Sequence, residues 1–259
     1  MSTRFTRALL RRPGENFAAG ITSAALGAPV LAIALEQHAR YAAALTACGL
    51  ALTMLSADAQ HPDGTFVEDT AVVTPQAAIV TRPGDASRAG ETGAIVAALA
   101  RHYASLAHIT PPGTVDGGDV CETDTGFLIG VSARTNEAGA RELAGLLGEL
   151  GHAATLIDVR GCPGLMHLKT GLSYLGDGRL AVAPGLPACA ALKAFEQVML
   201  APAESYAANC VRINERVLVA AGYPRFADAL ARLGYQPLPL EMSEFRKMDG
   251  GLSCLSLRF

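Results

Sequence analysis

Apolar residues along this chain change their period in a recurring order: two short strand-like runs, a stretch at helical spacing, then another short apolar run. The clearest case begins at "GDVCET" (118–123), turns at Asp124, Thr125 and Gly126, and returns as "GFLIGVS" (126–132). It then enters "NEAGARELAGLLGEL" (136–150) and ends in "AATLIDV" (153–159). Within the third segment Leu143, Leu146, Leu147 and Leu150 fall at i, i+3, i+4 and i+7 and make one apolar stripe. Asn136 is placed to cap that helix and Gly151 to stop it. The unit reads strand, strand, helix, strand.

The same order occurs upstream. There "FVEDTAVV" (66–73) turns at Pro75 and Gln76 into "AAIVTRPG" (77–84), followed by a helix over "ETGAIVAALARHYASL" (91–106) and a short strand at "AHIT" (107–110). Downstream, "KTGLSYL" (169–175) turns at Asp177-Gly178 into "RLAVAP" (179–184) before a helix over "CAALKAFEQVML" (189–200). A further unit runs "NCVRI" (209–213), Asn214-Glu215, "RVLVAAG" (216–222) and a helix opened by Pro224 and closed by Gly234. The fifth unit is split: "LSCLSLRF" (252–259) is expected to pair with "RFTRALLRR" (4–12), which leads into the helix "APVLAIALEQHARYAAALTA" (28–47) and the strand "ALTMLSA" (51–57). Such pairing closes a ring and removes an exposed sheet edge.

Units arranged around an axis bring their opening segments face to face. Those segments read "FVED" (66–69), "VDGGD" (115–119), "HLKT" (167–170), "AANC" (207–210) and "DGGLSC" (249–254). Together they offer carboxylates, a histidine, an asparagine and a cysteine, a collection that a hydrophobic core has no use for.

Composition narrows the function class. With 259 residues, half of them hydrophobic, and a net charge of −3, the chain suits one large or two small globular domains. Its charges form no extended basic run beyond Arg11-Arg12, which points to a small-molecule partner and away from nucleic acid or a membrane surface. The segment 1–35 is interrupted by Pro13 and Glu15, and its apolar run "GAPVLAIAL" (27–35) is far short of the ~20 residues a span needs, so it reads as folded protein without signal peptide or anchor. Six dispersed cysteines without a C-x-x-C pair read as free thiols in a reducing cytoplasm.

Each chemical candidate has a plainer reading. A thiol on an apolar strand usually fills space, and Cys121 and Cys210 are read that way. Cys254 differs because Asp249-Gly250-Gly251 just before it allows a substrate or another main chain to approach closely. His167 is either a satisfied structural histidine or, level with a cysteine, a general acid and base. Asp116 and Asp119 either cap turns or orient that histidine, and Asp63, Glu68 and Asp69 repeat the acidic theme. Arg88 and Arg134 follow second strands and precede helices, positions suited to solvation or to gripping a carboxylate. A zinc site from Cys254, His167 and an aspartate has acceptable donors but no supporting spacing, and ranks below nucleophilic catalysis.

The motifs "FVED", "TRPGDASRAGE" (81–91), "GTVDGGD" (113–119), "GVSARTN" (130–136), "HLKTGLSYL" (167–175), "ESYAANC" (204–210), "NERV" (214–217), "AGYPR" (221–225) and "RKMDGGLSCLSLRF" (246–259) resemble, in this order and over nearly the whole chain, the dimethylarginine dimethylaminohydrolases of the guanidino-modifying or pentein superfamily. The resemblance implies an α/β fold: a five-bladed α/β propeller of pseudo-repeated ββαβ modules, one catalytic domain over 1–259, closed by pairing of its two ends. It implies hydrolysis of Nω-methylated arginines to citrulline and methylamine or dimethylamine, without a cofactor or metal, by a cytoplasmic monomer or homodimer.

On that resemblance Cys254 matches the nucleophile, His167 the general acid and base, and Asp116 the carboxylate of the catalytic group, where some bacterial relatives carry glutamate. Asp63, Glu68 and Asp69 match positions near the guanidinium or the α-amino group, and Arg88 and Arg134 match positions on the α-carboxylate. Ile21 matches a leucine whose main chain meets the amino acid, in a loop that a lid would use, and Met248 a position whose carbonyl faces the guanidinium. An arginine deiminase is the neighbouring reading, though those enzymes usually carry an added helical domain. A non-catalytic propeller, as in ribosome anti-association factors, would lack the catalytic residues.

Overall fold

A computed structural model of the chain describes residues 4–259, so that the first three residues of the segment 1–35 lie outside it. In chain order the elements are β1 (Arg7–Arg11), α1 (Leu31–Ala47) and β2 (Ala51–Leu55), then β3 (Ala71–Val73), β4 (Ala78–Val80), α2 (Thr92–Leu99) and β5 (Leu106–His108). These lead to β6 (Val120–Thr123), β7 (Gly126–Val131), α3 (Glu137–Glu149) and β8 (Ala154–Asp158). There follow α4 (Leu168–Gly171), β9 (Leu172–Gly176), β10 (Arg179–Val182), α5 (Ala190–Lys193) and β11 (Glu196–Met199). Last come β12 (Val211–Ile213), β13 (Arg216–Ala220), α6 (Pro224–Arg232), β14 (Gln236–Leu240), α7 (Ser243–Arg246) and β15 (Leu257–Arg258).

The described residues form five three-stranded sheets with one repeated topology: an antiparallel pair, then a third strand parallel to the second. In the split unit β15 is the antiparallel first strand of β1, with Ala8 opposite Arg258 and Leu9 opposite Leu257. The ends close the ring as expected. Turn chemistry sets the hairpins: Asp177 and Gly178 adopt φ 53° and 72°, the left-handed pair that a two-residue connection needs, and Asn214 adopts 52°. The Asn136 side chain accepts from Gly139 N at 2.8 Å at the start of α3, and Gly151 leaves that helix left-handed at φ 84°.

Helices pack on the second strands. Leu143 and Leu147 of α3 are fully buried against Ile129 and Val131 of β7, each such side chain contributing about 1.5–3 kcal/mol. Third strands lie on the outer edges and are half exposed. This explains two departures from the pattern reading. The helix expected over 189–200 is only α5, and Glu196–Met199 is β11, parallel to β10. Three of the four β11 residues are exposed, so no apolar alternation marked the strand. Pro237 and Pro239 occupy β14, which an edge strand tolerates because it needs no outward N–H. The helix expected over 91–106 likewise ends at Leu99, freeing chain for β5.

A further departure is the more consequential. The openings of the units are helical turns rather than strand starts: Val67–Thr70, Gly117–Asp119, Leu168–Gly171, Pro202–Ala208 and Ser253–Leu255. They meet around the axis as the repeat implied, tied side chain to backbone. Asp69 Oδ1 accepts from Gly118 N at 2.8 Å, Asp119 Oδ1 from Leu168 N at 2.8 Å, and Asn209 Nδ2 donates to Lys169 O at 3.0 Å. Ser253 N donates to Asn209 Oδ1 at 2.9 Å, and Ser253 Oγ donates to Glu68 Oε2 at 2.6 Å. Every link satisfies a buried polar group, so the ring of turns is rigid rather than merely adjacent.

Candidate active site

These turns present groups to both ends of the axis, with a cavity at each. The larger, about 160 Å³, is reached by Glu68, Gly117, Lys169 and Ser253. The smaller, about 40 Å³, is reached by Asp69, Asp116, His167 and Cys254, the residues with the reactive chemistry. Of the ten residues that the family resemblance matched to the site, nine line the smaller cavity: Ile21, Asp63, Asp69, Arg88, Asp116, Arg134, His167, Met248 and Cys254. Glu68 is the exception, with its carboxylate on the far side of the ring. There it accepts from Ser253 Oγ and pairs with Lys169 Nζ at 2.6 Å and Arg258 Nη2 at 3.0 Å. Neither cation pairing was legible, because Lys169 and Arg258 lie on separate units.

Cys254 sits in the turn Ser253–Leu255 and not on the strand expected over 252–259. Gly251 N donates to its Sγ at 3.4 Å. The two glycines before it are needed for close approach rather than for a left-handed backbone. A Cβ on Gly250 would lie 2.3 Å from the Phe66 ring, and one on Gly251 would lie 2.5 Å from the Asn209 side chain. The left-handed residue is Asp249, at φ 55°. Burial pushes the Cys254 thiol up to about 12, with Glu68 and Asp69 adding to the rise while Gly251 N–H and Lys169 oppose it.

His167 stands at the mouth of α4 and donates from Nε2 to Asp116 Oδ2 at 3.0 Å. Burial disfavours its charge, but the Asp116 hydrogen bond and the carboxylates of Asp119, Asp69 and Asp116 outweigh it and hold the imidazole at about 9. At neutral pH His167 is a cation and Cys254 a neutral thiol. Asp116 is fixed in turn by Gly84 N, which donates to its Oδ1 at 2.8 Å. Asp119 braces the neighbouring turn, accepting from Ser132 Oγ at 2.7 Å and Leu168 N at 2.8 Å, while its burial raises its carboxyl.

Asp69 stays ionised although it is buried, because Arg88 and His167 hold its carboxyl down at about 2. Arg88 donates from Nη1 to Asp69 at 2.6 Å, from Nε and Nη2 to Glu91 at 3.0 and 2.8 Å, and from Nη2 to Phe66 O at 3.1 Å. Its guanidinium is thus largely committed to protein groups. Among the described residues the Arg134 guanidinium pairs through Nη1 with Asp85 at 2.8 Å, and it is the more available fork. Asp63 accepts from Ile21 N through both oxygens, at 3.2 and 3.1 Å, and burial raises its carboxyl.

Phe66, Met166, Asp249 and Gly250 complete the wall; Asp249 and Gly250 were singled out only for the backbone before Cys254, Phe66 only as part of "FVED", and Met166 carries no sequence signal beyond adjacency to His167. Among the described residues, donor atoms of Asp69, Asp116 and His167 lie within 4.8 Å of one another, a spacing open to a cation. Their bonds to Arg88, Gly84, Gly118 and each other already use that spacing. No helix among the described residues is long and apolar enough to cross a membrane.

No family model matches the chain. It is 42% identical over 256 residues to the N(G),N(G)-dimethylarginine dimethylaminohydrolase of Pseudomonas aeruginosa, covering 98% of this chain and 100% of that one. To the enzyme of the same name from Streptomyces coelicolor it is 35% identical, covering 97% and 96%. A cysteine-to-serine mutant of the Pseudomonas aeruginosa enzyme, solved with citrulline, superposes with a TM-score of 0.96 at 41% identity over 99% of this chain and 100% of that one. The N-terminal domain of a cyanobacterial arginine dihydrolase shares the fold at a TM-score of 0.87 and 17% identity, covering 97% of each. Five ββαβ units closed into a ring, with a cysteine, a histidine and an aspartate gathered at one mouth, accord with these likenesses: the chain belongs to the dimethylarginine dimethylaminohydrolase family and has its pentein fold.

Proposed function

We propose that this protein hydrolyses Nω,Nω-dimethyl-L-arginine and Nω-methyl-L-arginine to L-citrulline and dimethylamine or methylamine, with Cys254 as nucleophile, His167 as general acid and base, and Asp116 orienting His167. The observation that carries the reading is the single cavity wall on which Cys254, His167 and Asp69 converge with the arginine fork of Arg134. A flat cation with an α-amino acid at its far end complements that wall: a carboxylate at the reactive end, a guanidinium at the other. The relatives' names and the citrulline-bound neighbour support the same substrate class.

The chemistry follows from the protonation states. A guanidinium placed beside Cys254 favours loss of the thiol proton to solvent, and the thiolate adds to the guanidinium carbon. Imidazolium His167 gives its proton to the departing amine, and the C–N bond breaks to leave an S-alkylthiouronium on Cys254. Neutral His167 then takes a proton from water as its oxygen attacks the same carbon. Collapse expels the Cys254 sulfur, which takes the hydroxyl proton to return to the resting thiol, and leaves the ureido group of citrulline. Asp116 holds the imidazole throughout without changing its own charge. Asp69, kept ionised by Arg88, orients the planar cation, and Asp63 and the Ile21 main chain receive the α-amino end.

Colorimetric detection of citrulline from dimethylarginine, monomethylarginine and arginine in parallel tests the assignment. Turnover of the methylated substrates that is lost in Cys254→Ser supports it. Equal or greater turnover of plain arginine overturns the substrate assignment, and unchanged turnover in Cys254→Ser overturns the nucleophile.

A further inference from the structure

The segment 20–30 brings Ile21 to the smaller cavity, yet little of it is held by burial. Leu26 is 49% exposed and Val30 48% exposed, and residues 25–28 are all exposed. What holds the segment is carboxylates. Ile21 N donates to Asp63, and Val30 N donates to Glu244 Oε2 at 2.6 Å. Between them Asp249 Oδ2 accepts from Ser23 N at 2.5 Å and from Ser23 Oγ at 2.9 Å, while Thr22 Oγ1, 3.4 Å from the same oxygen, donates to Lys247 O at 2.8 Å.

Asp249 is also the residue that bends the chain into the nucleophile turn. Its φ of 55° is left-handed, a conformation that costs a non-glycine residue and that asparagine and aspartate tolerate best. Its N–H donates to Arg246 O at 3.2 Å and Gly250 N donates to Phe245 O at 2.9 Å, so the carboxylate projects from a fixed base at the end of α7. A glycine would adopt that backbone without the cost. The carboxylate therefore has a use that the turn itself does not explain.

We propose that Asp249 is a positioning residue that latches the loop 20–24 to the segment carrying Cys254, so that Ile21 and Asp63 meet the amino-acid end of the substrate only while the latch is closed. The inference rests on the substrate class proposed above, but its structural part does not. Asp249 is placed neither on the reacting carbon nor in proton transfer; it acts through the main chain of Ser23.

Asp249→Gly tests this directly, because glycine accepts φ 55° without strain and removes the carboxylate that Ser23 holds. KM for methylated arginines is expected to rise by about tenfold, more than kcat falls, as lost ground-state and transition-state binding of the amino-acid end predicts. Alkylation of Cys254 by iodoacetamide in substrate-free protein is expected to speed up, and proteolytic nicking within 21–29 to appear, since the loop opens more often. Asp249→Asn, which keeps an acceptor and the left-handed preference, is expected to recover most of the KM. The double variant Asp249→Gly with Ser23→Ala is expected to be no worse than Asp249→Gly alone. Unchanged alkylation and nicking in Asp249→Gly overturn the latch whatever the substrate proves to be. Faster alkylation with KM unchanged for a confirmed substrate overturns the link to substrate binding, and a loss confined to kcat assigns Asp249 to the nucleophile turn instead.

Discussion

A neutral thiol is a poor nucleophile, and Cys254 at about 12 leaves roughly 3 parts in 100,000 as thiolate at about pH 7.5. The proposed substrate brings a guanidinium cation into the smaller cavity. A guanidinium about 4 Å from Sγ contributes about 4 kcal/mol at an effective dielectric of about 20, which brings the thiol to roughly 9 and the thiolate to about 3%. Binding the cation thus supplies about a thousandfold more nucleophile, in the complex where it is useful. The assay is a thiolate ultraviolet difference titration, with Cys254→Ser subtracted to remove the buried Cys121 and Cys210, which titrate at about 11 and 12. Titrations are run for free protein, with a cationic amidine amino acid that binds without turning over, and with neutral citrulline. The expected result is a thiol that titrates near the alkaline limit when free and with citrulline, and far lower with the cation. A free thiol titrating below about 9, or identical titrations with and without the cation, refutes the reasoning.

The remaining predictions concern the ring of turns. His167 is raised from 6.5 to about 9 in the folded protein, so its contribution is fully present below 6.5 and is lost as pH rises through about 9, a loss of roughly 3 kcal/mol. Urea midpoints are expected to fall over that window in the wild type and to stay nearly level in His167→Asn; parallel curves would disprove the link. A Cβ on Gly118 would lie 2.8 Å from His167 Nδ1 and 3.0 Å from Asp69 Oδ1, so Gly118→Ala is expected to cost about 1–3 kcal/mol of stability and to lower kcat at least about tenfold, read from citrulline release and thermal melting. Lys169→Met strips Glu68 of its 2.6 Å partner inside the ring, at an expected cost of about 3 kcal/mol by denaturant titration; adding Glu68→Gln should recover much of it.

Much of this architecture follows from the sequence alone because its signals are local. Asp177-Gly178 and Asn214 dictate hairpin turns, Asn136 and Gly151 bound α3, and the leucine stripe chooses its buried face. Recurrence of one element order then places the five openings together, and nine of the ten candidate residues reach one cavity as that argument requires. Signals fail where burial fails. The edge strand β11 is mostly exposed and reads as a continued helix, because nothing in Glu196–Met199 alternates. Prolines mask β14 for the same reason, since its outer side needs no donors.

Only the tertiary structure decides which end of the axis a residue faces. Glu68 and Asp69 are adjacent carboxylates in "FVED", and sequence treats them alike. On the turn Val67–Thr70 they part: Asp69 meets Arg88 and the reactive cavity, while Glu68 joins Lys169, Ser253 and Arg258 from other units. The turn Ser253–Leu255 likewise sends Cys254 to one cavity and Ser253 to the other. Residue types, turn chemistry and repeat order are properties of short stretches and belong to the sequence. The side on which each turn presents its groups, and so the protonation of Cys254 and His167, depends on neighbours that only the closed ring supplies.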